Sequence, residues 1–419
     1  MANLSEFNQW LQKGLGRAVL HLRTHDPAPY REAVLYACTH DLTYDAQCEG
    51  DREIYLLDLI NCVADQDFFR NGFLEALRTP PKDPERFDLG RIVEMARNFA
   101  EKGDDEMKQA MYRAVADAGF EPEPIYYEDL IKLDGLPALV IAAEHVPSDM
   151  PEDDLWQVNS LVTALQDRDG VEAANDAIRR AEQESPRLAQ MLERSRLYES
   201  RFEPGEIQKH LDYVALKKMI AEKPGAMFYA GWGRTATEEE LRAAASDLIL
   251  EKDESRLLAY LRIFWFQPFP GPIAPVLKLA ESDNVRLARF SVKVLSQLTN
   301  PAIRELGLRL LDSAGRNGDG VELLANNYKP GDFQLMETLL GEPMQVDDLH
   351  SFEIGVRHLA SAHHSPEAER SLTLLYENGP CSLCRCGVVE ELIALGCFPD
   401  WMREECRYDS YTETRKLVQ

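Results

Sequence analysis

The sequence predicts an all-α chain, a row of amphipathic helices paired into hairpins and stacked as an α-solenoid. Three observations predict it. Apolar residues recur at three- and four-residue spacing in segment after segment. Helix-start signals such as Asn300-Pro301, Ser365-Pro366 and Thr237 with Glu240 stand before these runs. No long stretch rich in Val, Ile and Thr alternates as a strand would.

In chain order, the first expected breaks are polar. Val146-Pro147-Ser148-Asp149-Met150-Pro151-Glu152-Asp153-Asp154 reads as a linker, and Phe202-Glu203-Pro204-Gly205 as a second. Between them Glu172 to Glu199 reads as a very polar helical stretch with a narrow apolar stripe, expected at the edge of the array or bridging two halves. The division is therefore 1–150 as N-terminal repeats, 151–205 as a polar helical bridge and 206–419 as C-terminal repeats. Further on, Thr237 to Glu240 forms a capping box for a helix running to Leu250, and Asp253 to Ile263 reads as the next. Asp283 to Leu298 turns Val285, Ala288, Val292, Leu295 and Leu298 to one side, with Arg286, Arg289 and Lys293 off it. Asn300 to Asp312 follows, with Ile303, Leu306, Leu310 and Leu311 inward. Ser365-Pro366 opens a helix through Tyr376 that Gly379 ends.

Weak internal echoes accompany these helices. Asn300-Pro301 with Arg304, Leu306 and Leu308 is repeated by Ser365-Pro366 with Arg370, Leu372 and Leu374. Tyr44-Asp45 followed by Arg52 is repeated by Tyr408-Asp409 followed by Arg415. Amphipathic hairpins too small to hide their apolar faces alone stack into a shared core. Asp283-Asn284-Val285-Arg286 before an apolar helix resembles the Asp…Val-Arg signature at the second helix of a HEAT repeat. The stretches Tyr376-Glu377-Asn378-Gly379-Pro380-Cys381-Ser382-Leu383-Cys384 and Glu405-Cys406-Arg407-Tyr408-Asp409 resemble the closing part of bacterial HEAT-repeat proteins. Thr24-His25-Asp26-Pro27 to Tyr44-Asp45 resembles their opening repeat. The match covers roughly a third of the chain, and residues 150 to 235 depart from it. The resemblance implies an armadillo-like α-solenoid serving as a scaffold or binding surface, and implies no particular ligand.

Charge narrows the partners. In 419 residues, 72 acidic side chains oppose 46 basic ones, for a formal net charge of -26. Nucleic acid and anionic membranes need clustered Lys and Arg, so the balance argues against both and favours a basic protein or peptide. The start Met1-Ala2-Asn3-Leu4-Ser5-Glu6 lacks a basic leader and an apolar core, and no apolar run approaches a membrane span. The expectation is a cytoplasmic chain whose eight cysteines are thiols or ligands before they are disulfides.

Two sets of residues stand out as carriers of function. Met227 to Arg234 and Arg262 to Pro270 combine aromatics with arginine in the manner of binding hot spots, and Trp232, Arg234, Arg262 and Trp265 are the expected lining of a partner-binding groove. The plainer reading is a packed aromatic corner between repeats. Cys381 and Cys384 have zinc-knuckle spacing at the start of a helix, but no second Cys-x-x-Cys pair exists; packing as small hydrophobes competes with a metal or thiol-sensing role. The N-terminal His21, His25, Cys38, His40, Cys48 and Cys62 read as cap and core residues. No Gly-x-x-x-x-Gly-Lys-Ser/Thr, Gly-x-Ser-x-Gly or His-Glu-x-x-His is present. The sequence thus gives no catalytic residue and no cofactor. It favours a non-catalytic scaffold binding a protein or peptide on a concave helical surface. The alternatives are a HEAT-like enzyme of the DNA glycosylase or chromophore lyase kind, by resemblance, and a zinc or thiol sensor using Cys381 and Cys384.

Overall fold

A computed structural model describes residues 2–50, 52–79, 87–118, 125–151, 154–199 and 211–419. The described residues are helical throughout, with no strand among them, and none of their helices is long and apolar enough to cross a membrane.

Helix starts follow the chemistry of their first residues. Thr237 accepts from the Glu240 N–H while Glu240 accepts from the Thr237 N–H, so the capping box forms and the helix Glu238–Leu250 follows it. Asp253 caps Glu254–Ile263. Asn284 caps Val285–Leu295 through both the Arg286 and Leu287 amides, and Asn300 with Pro301 opens Pro301–Leu311. Within Val285–Leu295 the expected Ala288, Val292 and Leu295 are buried, and the stripe is wider than expected. Leu287, Ala288, Ser291, Val292, Val294 and Leu295 are buried, whereas Val285, at the first helical position, is exposed. The polar stretch 172–199 is two helices, Val171–Glu184 and Pro186–Glu199. The break comes at Ser185, since the ring of Pro186 cannot follow it within a continuous helix.

The chain forms two compact units. The first is Met1–Gly205 together with Glu404–Gln419; the second is Glu206–Arg403. The helices Trp156–Asp169, Val171–Glu184 and Pro186–Glu199 therefore belong with those before them. The sequence break at Phe202-Glu203-Pro204-Gly205 and part of the first linker, Glu152-Asp153, lie outside the described residues.

In the first unit Phe7, Val19, Val34, Leu59, Phe69, Phe73, Val93, Met107 and Leu139 are among the residues that share one continuous core. Residues 404–419 close its N-terminal end. The Ser410 N–H donates to the Gly14 carbonyl at 2.9 Å, Arg17 pairs with Glu405 at 2.9 Å, Arg415 pairs with Asp58 at 2.9 Å, and the Arg23 guanidinium lies over the Tyr408 ring. Gly14 permits this approach with a left-handed backbone (φ 68°), and a Cβ on Gly16 would fall on the Glu405 carbonyl oxygen. The second unit has its own core, built by Leu216, Tyr229, Trp232, Leu261, Phe264, Val292, Leu306 and Leu323 among others. There Pro301–Leu311 packs on Asn317–Leu324, which in turn packs on Val346–His363, and the helices approach so closely that a Cβ on Gly307, Gly320 or Gly355 would meet a neighbouring atom at 3.1 Å or less.

Candidate functional site

The aromatic segment of the second unit is mostly interior. Trp232 is 6% exposed, and its indole N–H donates to the Leu211 carbonyl at 2.6 Å. Arg262 is 4% exposed. Its Nη1 donates to the carbonyls of Gly225 and Ala226 at 3.2 and 3.3 Å and lies near that of Pro224, in the loop after the helix Tyr213–Glu222. Burial, then the neighbouring Arg286, lower its pKa from the usual guanidinium value. Trp265 is half-buried, edge-on to Phe290 with ring centroids 4.8 Å apart. Arg234 stacks on exposed Phe266, its guanidinium carbon 3.7 Å from the ring centroid. Gly233 serves helix packing, since a Cβ there would meet the Ile263 carbonyl. Of the four residues expected to line a groove, Trp232 and Arg262 hold the fold, and Arg234 is the one presented to solvent.

The cysteine motif has the expected local setting and one partner that the sequence did not reveal. Cys381 is the N-cap of the helix Ser382–Ala394, and Cys384 lies in its first turn; both are buried. Val346–His363 packs against that helix and brings His350 to them. His350 Nε2 is 3.3 Å from Cys384 Sγ, and one ligand atom from each of His350, Cys381 and Cys384 lies within 4.8 Å of the others. The Cys381 hydrogen bond, then burial, then the charge of Glu353 hold the Cys384 thiol well above the ordinary thiol range. His350 precedes the motif by a whole helix, and no local spacing marks it.

The N-terminal histidines and cysteines do not converge. His21 stacks on His25, His40 stacks on Tyr36, and Cys38 is buried in the core, where burial raises its pKa.

The first unit carries a cleft of about 620 Å³ that sequence reasoning missed. Asp41, Glu94, Glu128 and Asp129 face it, against Arg91 and Lys132, and Trp156, 50% exposed, stands at its rim. The floor is held by a polar network. Asp88 accepts from the Asp41 N–H at 2.6 Å, Arg91 pairs with Glu94, and Arg97 bridges Glu53 and Asp129 at 2.7 and 3.1 Å. Burial raises the Asp129 pKa against the pull of Lys132 and Arg97. These residues come from three helices and a loop, and their separation along the chain hid them. Arg91 also reaches Asp41 at 3.6 Å and Lys132 reaches Asp129 at 3.3 Å, so a cationic side chain entering the cleft would meet chiefly Glu128 for its charge and the indole face of Trp156 for its stem.

Comparison with the known protein families, the curated proteins and the solved structures gives no match to this chain.

Proposed function

We propose that this chain is a non-catalytic HEAT-like solenoid scaffold that binds a protein or peptide partner, and that the cleft of the first unit receives a basic side chain of that partner. The observation that carries the reading is the pairing of a carboxylate-rich cleft with a half-exposed tryptophan at its rim. Large aromatics beside a charged pocket are the usual anchors of an interface, and the net charge of -26 steers cationic segments toward it. The glycosylase-like alternative calls for a basic groove, and here four carboxylates line the cleft against Arg91 and Lys132, with Arg97 beneath paired to Asp129.

Fluorescence anisotropy of a labelled Arg- and Lys-rich peptide, titrated with the whole protein at low and high salt, tests the proposal. Binding should weaken with salt and fall about tenfold in Trp156→Ala and in Glu128→Lys, a loss on the scale of one interface hot spot. Absence of binding at low salt, or binding that both variants leave unchanged, would overturn it.

A further inference from the structure

We infer that His350, Cys381 and Cys384 form a binding site for a thiophilic divalent cation of the zinc kind. Two helices supply the ligands. The Cys-x-x-Cys at the start of Ser382–Ala394 turns two sulfurs to one side, and Val346–His363 delivers an imidazole nitrogen to the same point. Soft thiolates with imidazole are the donor set that selects zinc over magnesium or calcium. In a tetrahedral zinc site the Zn–S and Zn–N bonds of about 2.3 and 2.0 Å place neighbouring ligand atoms about 3.5 Å apart. The 3.3 Å from His350 Nε2 to Cys384 Sγ is already at that spacing, and the 4.8 Å limit on the group leaves a closure of about 1 Å, within side-chain rotation. The group has three members among the described residues, two of them buried and His350 half-buried.

The surroundings suit an ion. Cys381 and Cys384 are 2% and 6% exposed, so water competes poorly for the metal. Glu353 is fully buried one helical turn beyond His350. Gly379, two residues before Cys381, leaves the space that carboxylate occupies: a Cβ there would lie 2.8 Å from both Glu353 oxygens. Binding is a plain exchange. Two S–H bonds break, two metal–sulfur bonds form, the imidazole lone pair adds a third bond, and two protons pass to solvent, so the dication's charge is balanced by its two thiolates.

Cobalt(II) titration of the reduced, chelator-free whole protein tests the site. The expected result is a one-to-one complex with thiolate-to-cobalt charge-transfer absorption and the visible bands of tetrahedral cobalt, both bleached by zinc. His350→Gln and Cys384→Ser should each weaken binding at least tenfold, whereas Cys48→Ser, at an exposed thiol, should leave it unchanged. Circular dichroism of each variant separates loss of a ligand from loss of fold. Absence of the charge-transfer band in the wild-type protein would overturn the inference by itself, whatever the variants do. So would a band of full strength in a folded His350→Gln protein.

Discussion

The Ser410 N–H reaches the Gly14 carbonyl at 2.9 Å, joining the last turns of the chain to its first helical hairpin. The contact depends on bare backbone at Gly14 and Gly16. Gly16→Ala would press a methyl group into the Glu405 carbonyl, where backbone has to shift. The expected cost is about 1–3 kcal/mol in the first unit. Urea unfolding followed in that unit measures it, and an unchanged midpoint would refute the packing described.

Arg262 and Trp232 should act on stability. Arg262→Ala leaves the carbonyls of Gly225 and Ala226 without their charged donor and should cost about 2–3 kcal/mol. Trp232→Ala opens a cavity in a packed core and should cost about 3–5 kcal/mol. Arg234→Ala removes one exposed ring contact and should cost no more than about 1 kcal/mol. Thermal unfolding of the three variants should rank them in that way.

Asp104 gives a pH signature. It accepts from the Met107 amide at the start of Asp105–Ala118 and pairs with Arg70 at 2.5 Å; the Arg70 hydrogen bond leads the causes that hold its carboxyl below the ordinary value. A depressed folded pKa means that the stabilisation is full above the unfolded value of about 3.9 and is lost as pH falls through the folded one. The stability gap between wild type and Asp104→Asn should therefore be open at neutral pH and close below about pH 4. Asp104→Ala also loses the cap and should cost about 1 kcal/mol at neutral pH. A gap of constant size in denaturant titrations across that range would contradict this assignment.

What the sequence disclosed was local. Asn284, Asn300 and Thr237 cap helices where their own amides need them, so a window of a few residues was enough to find those helices. The echo between Tyr44-Asp45 and Tyr408-Asp409 has a structural basis as well. Asp45 accepts from the Gln47 amide and Asp409 from the Tyr411 amide, and each turn is followed by a buried arginine, Arg52 or Arg415. Long-range partners left no such trace. His350 meets Cys384 across two packed helices, and Trp156 reaches the rim of a cleft whose other walls begin near Asp41. Composition left two readings open at Trp232 and Arg262, because an aromatic-arginine cluster looks the same whether its polar atoms meet a partner or the chain's own carbonyls.

The first unit draws on both sides of the second in sequence. During synthesis its N-terminal helices therefore wait, with the face of Gly14 to Arg17 uncovered, until residues 404–419 have cleared the ribosome. A product truncated before Glu404 would leave that face uncovered.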